Sequence, residues 1–148
     1  MPYKVEATAS TTASPELVFD HLAKAEAWGV WGKFPGKAVQ EREAAPDRGG
    51  VGSIRRIWPA REETVVHDRP HAYSYVLLSG VPLRDYRADV TLTPEGGGTR
   101  IHWASSFDSR IPGSGPVIHL FMKSLIRSLA SNLARHTAHC PEGCIGGA

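Results

Sequence analysis

Residues 83–103 read LRDYRADVTLTPEGGGTRIHW, and this stretch decides the fold. Tyr86, Ala88, Val90 and Leu92 alternate with Arg87, Asp89 and Thr91, and past the turn Ile101 and Trp103 alternate with Arg100 and His102. Such alternation belongs to strands buried on one face. Gly96, Gly97 and Gly98 accept the positive φ of a tight reversal, and Pro94 is expected to stop the first strand. The segment therefore predicts a β-hairpin. Carrying its inward parity backwards brings Arg84 onto the face of Tyr86, and carrying it forwards adds Ser105 and Phe107. A plain apolar core has no use for Arg84.

The remainder of the chain surrounds this hairpin with further strands and one long helix. Tyr3, Val5, Ala7 and Ala9 alternate as a first strand over residues 3 to 11. Ser14 followed by Pro15 and Glu16 starts a helix, since the hydroxyl caps free amides and proline suits the first turn. That helix is expected to reach about Lys24 with Leu17, Val18, His21 and Leu22 inward. AEAWGVWGKFPG then forms a second short helix or turn bearing Trp28, Trp31 and Phe34. Strands are expected over 37 to 43, 51 to 58, 61 to 67 and 71 to 78, separated by Gly- and Pro-bearing turns. After SRIPGSGP, Ile118, Phe121, Met122, Leu125, Leu129 and Leu133 recur at helical spacing from about Pro116 to Thr137. The fold class is α+β, an antiparallel sheet packed on one helix.

Composition narrows the function classes. The 148 residues suit one domain, with an ordered core over about 3–137 and a tail over 138–148. Hydrophobic residues make up 41% and charged residues 22%, as in an ordinary soluble globular protein. The 17 basic and 15 acidic residues are interspersed, so no sustained basic face is offered to nucleic acid. The opening MPYKVEATAS lacks a secretory apolar stretch, and no segment approaches the roughly 20 apolar residues of a membrane span. A cytoplasmic monomer or homodimer is the expectation.

The early SPELVFDHLAKAEAWGVW, the GVGSIRRI strand, the VPLRDYRADVTLTPEGGGTRIHW hairpin and the C-terminal helix together resemble the polyketide cyclase/dehydrase-like branch of the START/birch-pollen-allergen (SRPBCC) superfamily. The resemblance covers residues 3 to 137. It implies the helix-grip fold, a curved seven-stranded antiparallel sheet wrapped around the last helix with a cavity between them. In that cavity Arg84, Tyr86 and Trp103 would face a ligand, and Trp28, Trp31 and Phe34 would lie at its mouth. Phe121, Met122 and Leu125 of the long helix would form its roof, although ordinary helix-to-sheet packing is the better account of any one of them taken singly.

If Trp58 pairs with Arg61, Arg56 lies opposite Glu63 and Ile54 opposite Val65. Alternation does not choose the inward face of this pair, because Ile57 and Val66 lie on the other side. Similarity to family members, which favour an aromatic residue at the position of His67, selects the face of Arg56, Glu63 and His67 as inward. Tyr73, Tyr75 and Leu77 are taken as inward on the next strand. Arg56 and Arg84 would then hold a carboxylate, phenolate or carbonyl oxygen, Glu63 or His67 would move a proton, and the tyrosines would polarise a carbonyl, as aldol cyclisation and dehydration require. The competing reading is an Arg56–Glu63 pair on a solvated face.

No GxSxG elbow, HExxH, Walker loop or dinucleotide fingerprint occurs, so no cofactor is expected. His136, His139, Cys140 and Cys144 gather in the tail at a spacing that fits no standard zinc finger, and no metal is expected. A Cys140–Cys144 disulfide after oxidation is open. The resulting expectation is a small hydrophobic or aromatic ligand in an internal cavity, with cyclisation or dehydration undecided. A non-catalytic carrier or sensor, or an interaction module using the outer sheet face, are the alternatives.

Overall fold

The computed structural model describes residues 3–32, 38–57 and 59–139. Seven strands form one antiparallel sheet: β1 (Tyr3–Thr11), β2 (Ala38–Arg42), β3 (Ile54–Ile57), β4 (Ala60–Asp68), β5 (Ala72–Ser79), β6 (Leu83–Glu95) and β7 (Gly98–Ser109). Their spatial order is β1-β7-β6-β5-β4-β3-β2. Helix α1 (Pro15–Ala23), a 3₁₀ turn at Ala25–Ala27 and α2 (Trp28–Trp31) follow β1, and α3 (Gly115–Ala138) closes the chain. Phe34, Trp58, Cys140 and Cys144 lie outside the described residues.

Local chemistry explains most of these boundaries. Leu17 N–H donates to the Ser14 hydroxyl at 3.2 Å, and Pro15 opens α1 as expected. Beyond the anticipated inner stripe, Phe19 is also fully buried, while Leu17 is only partly covered. His21 is buried too, its ring 5.0 Å from that of His136 on α3. On α3 the buried face is Met122, Ile126, Leu129, Ala130, Leu133 and Ala134, while Phe121 stays 64% exposed.

The hairpin departs from expectation at Pro94. Strand β6 continues through Pro94, which pairs with Thr99, to Glu95. The reversal is made by Gly96 and Gly97 alone, at φ 55° and 83°. Both values suit the two-residue turn whose twist matches a β-hairpin. Gly98 serves a different need, because a Cβ there would collide with the backbone of Thr11 and Thr12.

Two inward assignments are corrected by the structure, one by a slip in register and one by the choice of face. Between Arg84 and Arg87 the β6–β7 register slips by one residue, with Asp85 at φ 53°. One inserted residue reverses the alternation, so Leu83 and Tyr86 both point inward and Arg84 is exposed. Between β3 and β4, Ile54 pairs with Glu63, Arg55 with Glu62, Arg56 with Arg61 and Ile57 with Ala60. This register differs from the expected pairing by two residues, which keeps Arg56 and Glu63 together on one face, but the face that packs inward is the other one, that of Arg55, Ile57 and Glu62.

Candidate functional site

The inner face of the β3–β4 hairpin carries a buried ion pair. Arg55 is 2% exposed and Glu62 8%, and Arg55 Nε donates to Glu62 Oε1 at 3.3 Å. Arg55 Nη1 donates to the Leu22 carbonyl at 2.8 Å, which ties the pair to the end of α1. Its guanidinium carbon lies 4.2 Å from the centre of the Trp28 ring, 4.9 Å from that of Tyr75 and 5.1 Å from that of Tyr73. Three aromatic faces partly replace the water that the cation has lost. Arg55 Nη2 makes no hydrogen bond among the described residues.

A second polar chain supports this arrangement from behind. The Ser53 hydroxyl donates to Thr64 Oγ1 at 3.1 Å, and Thr64 Oγ1 is 2.8 Å from the Tyr73 hydroxyl. With its hydroxyl satisfied, Tyr73 holds its ring under Arg55 and fixes the guanidinium plane. The Trp28 indole N–H donates to the Leu22 carbonyl at 2.8 Å, so α2 is anchored to the same carbonyl that receives Arg55.

In front of the ion pair lies a cavity of about 450 Å³ between the sheet and α3. Trp28, Ile57, Leu77 and Leu83 supply apolar wall, and Phe121, Met122, Leu125 and Leu129 of α3 close it. Glu62, Tyr75 and Tyr86 are the side chains that bring oxygen to this lining. An apolar body with a few convergent polar groups is the usual constitution of a small-molecule site.

Burial sets the protonation of those oxygens. It raises the Glu62 carboxyl above the ordinary carboxylate value, and the neighbouring Arg55 opposes the shift without cancelling it. It also raises the Tyr86 hydroxyl, assisted by the charge of Glu62, and raises Tyr75 well above the ordinary phenol value. Both tyrosines are therefore neutral hydroxyls at physiological pH, able to donate a hydrogen bond. Glu62 holds its proton more tightly than an ordinary carboxyl does, because burial penalises its charged form more than Arg55 rewards it.

The residues expected from sequence divide into three groups. Trp28, Tyr75, Tyr86, Met122 and Leu125 line the cavity, with Phe121 at its rim. Trp31, Tyr73, Trp103, Ser105 and Phe107 are buried around it rather than in its wall. Trp31 donates its indole N–H to the His21 carbonyl at 3.1 Å, and Phe107 stacks on Tyr3 with ring centres 5.7 Å apart.

The expected catalytic set falls elsewhere. Arg56 is exposed beside Glu41 at 3.6 Å, and Glu63 faces Arg42 at 3.8 Å. His67 regains the inner side because the β4–β5 register shifts between Thr64 and Val66. It packs edge-on against Phe19 at 4.9 Å and borders a separate polar cleft with Asp20 and Arg69. Arg84 stands on the outer side of the sheet.

Arg55 and Glu62 were missed because each face of β3 carries one isoleucine and one arginine. No signal within these two strands separates the faces: the expected and the observed pairing both keep Arg55 on one face with Glu62 and Arg56 on the other with Glu63. The choice between the faces is made by packing on Trp28 and the end of α1.

A family model described as "Polyketide cyclase / dehydrase and lipid transport" matches residues 2–138. A search of the curated proteins found no match. Among solved structures, a START superfamily protein from Mycobacterium smegmatis superposes with a TM-score of 0.76 at 15% identity, covering 91% of this chain and 97% of the other. A protein from Thermus thermophilus superposes with 0.74 at 19% identity, over 90% and 96% of the two chains. Ara h 8.0201 does so with 0.72 at 13% identity, over 93% and 98%. At these identities the likeness is one of fold: the curved seven-stranded sheet gripping a long C-terminal helix.

Proposed function

Because this chain belongs to the polyketide cyclase/dehydrase and lipid transport family, we propose that it binds a small, largely apolar or aromatic molecule in the cavity between its sheet and α3. The observation that carries the reading is the lining itself, a space of about 450 Å³ walled by aliphatic and aromatic side chains and supplied with oxygen by Glu62, Tyr75 and Tyr86. A flat aromatic or polyene body fits between Trp28 and Leu125, and its carbonyl or hydroxyl meets the tyrosine hydroxyls. A cytoplasmic location and a monomeric or homodimeric state belong to this reading and rest on the sequence alone.

The test is native mass spectrometry of the freshly purified protein, followed by denaturation to release and identify what is bound, and by titration with the neutral fluorophore N-phenylnaphthylamine. The expected result is saturable binding that Leu125→Trp, which narrows the cavity from α3, weakens while the protein stays folded. Binding unchanged by this substitution would place the ligand elsewhere.

A second reading, catalysis of cyclisation or dehydration, is favoured by one observation: a carboxylate buried in an apolar cavity with its proton affinity raised. Glu62 would take a proton from the carbon beside a ligand carbonyl while the Tyr75 or Tyr86 hydroxyl donates to the carbonyl oxygen that gains charge. The enolate carbon would close on a second carbonyl of the same molecule, whose oxygen takes the proton back from Glu62, and loss of water would follow as the regenerated carboxylate removes a second proton from the same carbon. Arg55 would position Glu62 without touching the ligand. Glu62→Gln separates enzyme from carrier, since an enzyme keeps affinity and loses turnover whereas a carrier has no turnover to lose.

A further inference from the structure

Strands β5 and β6 pair from Ala72 opposite Thr91 to Val76 opposite Arg87 and no further. Strand β5 nevertheless runs on to Ser79, and β6 begins at Leu83. Two local features separate them. At the end of β5, Gly80, at φ 103°, lies so close to the Pro59 backbone that a Cβ would collide with it. This contact draws the end of β5 toward the β3–β4 turn. At the start of β6 the bulge at Asp85 interrupts the regular pairing of the strand.

Beyond Val76 and Arg87 the two strands are not paired, which leaves a slot between their ends. On its outer side lies a second hollow of about 450 Å³. Leu77, Val81, Leu83 and Tyr86 line both this hollow and the inner cavity. Its charged lining is Arg84, Arg87 and Arg110 against a lone acidic residue, Asp85. Arg87 is held by Asp89 at 3.1 Å, whereas Arg84 and Arg110 have no ion pair among the described residues. At the inner end, Glu62, the β4 partner of Leu77, is the one charged residue in the cavity lining among the described residues, and Arg55, its ion-pair partner, stands behind that lining.

We infer that the ligand is an anionic amphiphile, its apolar body filling the cavity and its negative end held by Arg84 and Arg110 at the slot between β5 and β6. The inference rests on the reading that the cavity binds a small apolar molecule, and it adds the charge and orientation of that molecule. A carboxylate or sulfonate entering head-first would meet Glu62 in a low-dielectric space. With its head outward, it meets guanidinium forks suited to a planar or tetrahedral anion. The bulge that removes Arg84 from the core thus gives it a place at this mouth.

Two probes with the same aromatic body separate the parts of the claim: anilinonaphthalene sulfonate, which is anionic, and N-phenylnaphthylamine, which is neutral. The readout is the ratio of their affinities for the wild-type protein and for Arg84→Gln/Arg110→Gln. The expected result is a preference for the sulfonate of about tenfold, the scale of a charge-assisted contact at a partly exposed site, lost in the double variant. Equal affinities for the wild type, or a preference that survives the double substitution, would overturn the anionic assignment while leaving the apolar cavity intact. Failure of both probes to bind would overturn the cavity reading and this inference with it.

Discussion

Glu62 is the residue on which the polar character of the cavity turns. Its carboxylate is buried against Arg55, so removing the charge leaves a guanidinium in the interior without its counter-ion. Glu62→Leu is expected to cost about 3 kcal/mol, because breaking a buried pair from one side leaves an uncompensated charge. Arg55→Met/Glu62→Leu should recover much of that loss, and urea denaturation of the three proteins measures it. Acid dependence follows from the same burial. The folded state holds the Glu62 proton more tightly than an unfolded glutamate does, whose value lies near 4.5. As pH rises from that value through the folded one, the folded state must release a proton that the unfolded state has already lost, so stability falls. The difference in unfolding free energy between wild type and Glu62→Gln should therefore shift against the wild type over this window. A difference independent of pH would mean that Glu62 titrates as an ordinary carboxyl.

At the scale of elements, the strand β6 shows how one residue decides what two faces carry. Its alternation from Tyr86 to Leu92 is regular, and all four inward residues are buried. The residues before it obey the opposite parity because Asp85 takes a left-handed conformation at φ 53°. A non-glycine residue bears a cost there that glycine escapes, and aspartate tolerates it better than a β-branched residue does. Asp85→Gly is thus expected to be neutral or slightly stabilising, whereas Asp85→Val should destabilise by about 1–2 kcal/mol. Chemical denaturation of the two variants checks the sign and the order. Equal effects would show that the bulge does not need this conformation.

Across the whole molecule, the cavity exists because the sheet curves around α3 and its middle is not filled by side chains. Met122, Leu125 and Leu129 reach it from one side, and Tyr75 and Tyr86 from the other. A ligand that occupies this space binds the folded state alone, so N-phenylnaphthylamine at about one hundred times its Kd should add about 2.7 kcal/mol to stability. Thermal unfolding of the wild type should shift upward with probe concentration, and that of Leu125→Trp should shift less at the same concentration. The sequence by itself determined what depends on neighbours along the chain: the Ser14 cap, the strands set off by glycine and proline, the Gly96–Gly97 reversal and the helical spacing of α3. These are short-range choices, each made by backbone conformation or by periodicity within one element. Tertiary structure alone decided that Arg55 and Glu62, rather than Arg56 and Glu63, face inward, and that Arg84 stands outside. Successive residues on a strand point to opposite faces, so a register shift or a bulge of one residue exchanges core for solvent. For β3 and β4 the pairing leaves the choice of inward face open, and packing against Trp28 and the end of α1, partners far away in the sequence, makes it.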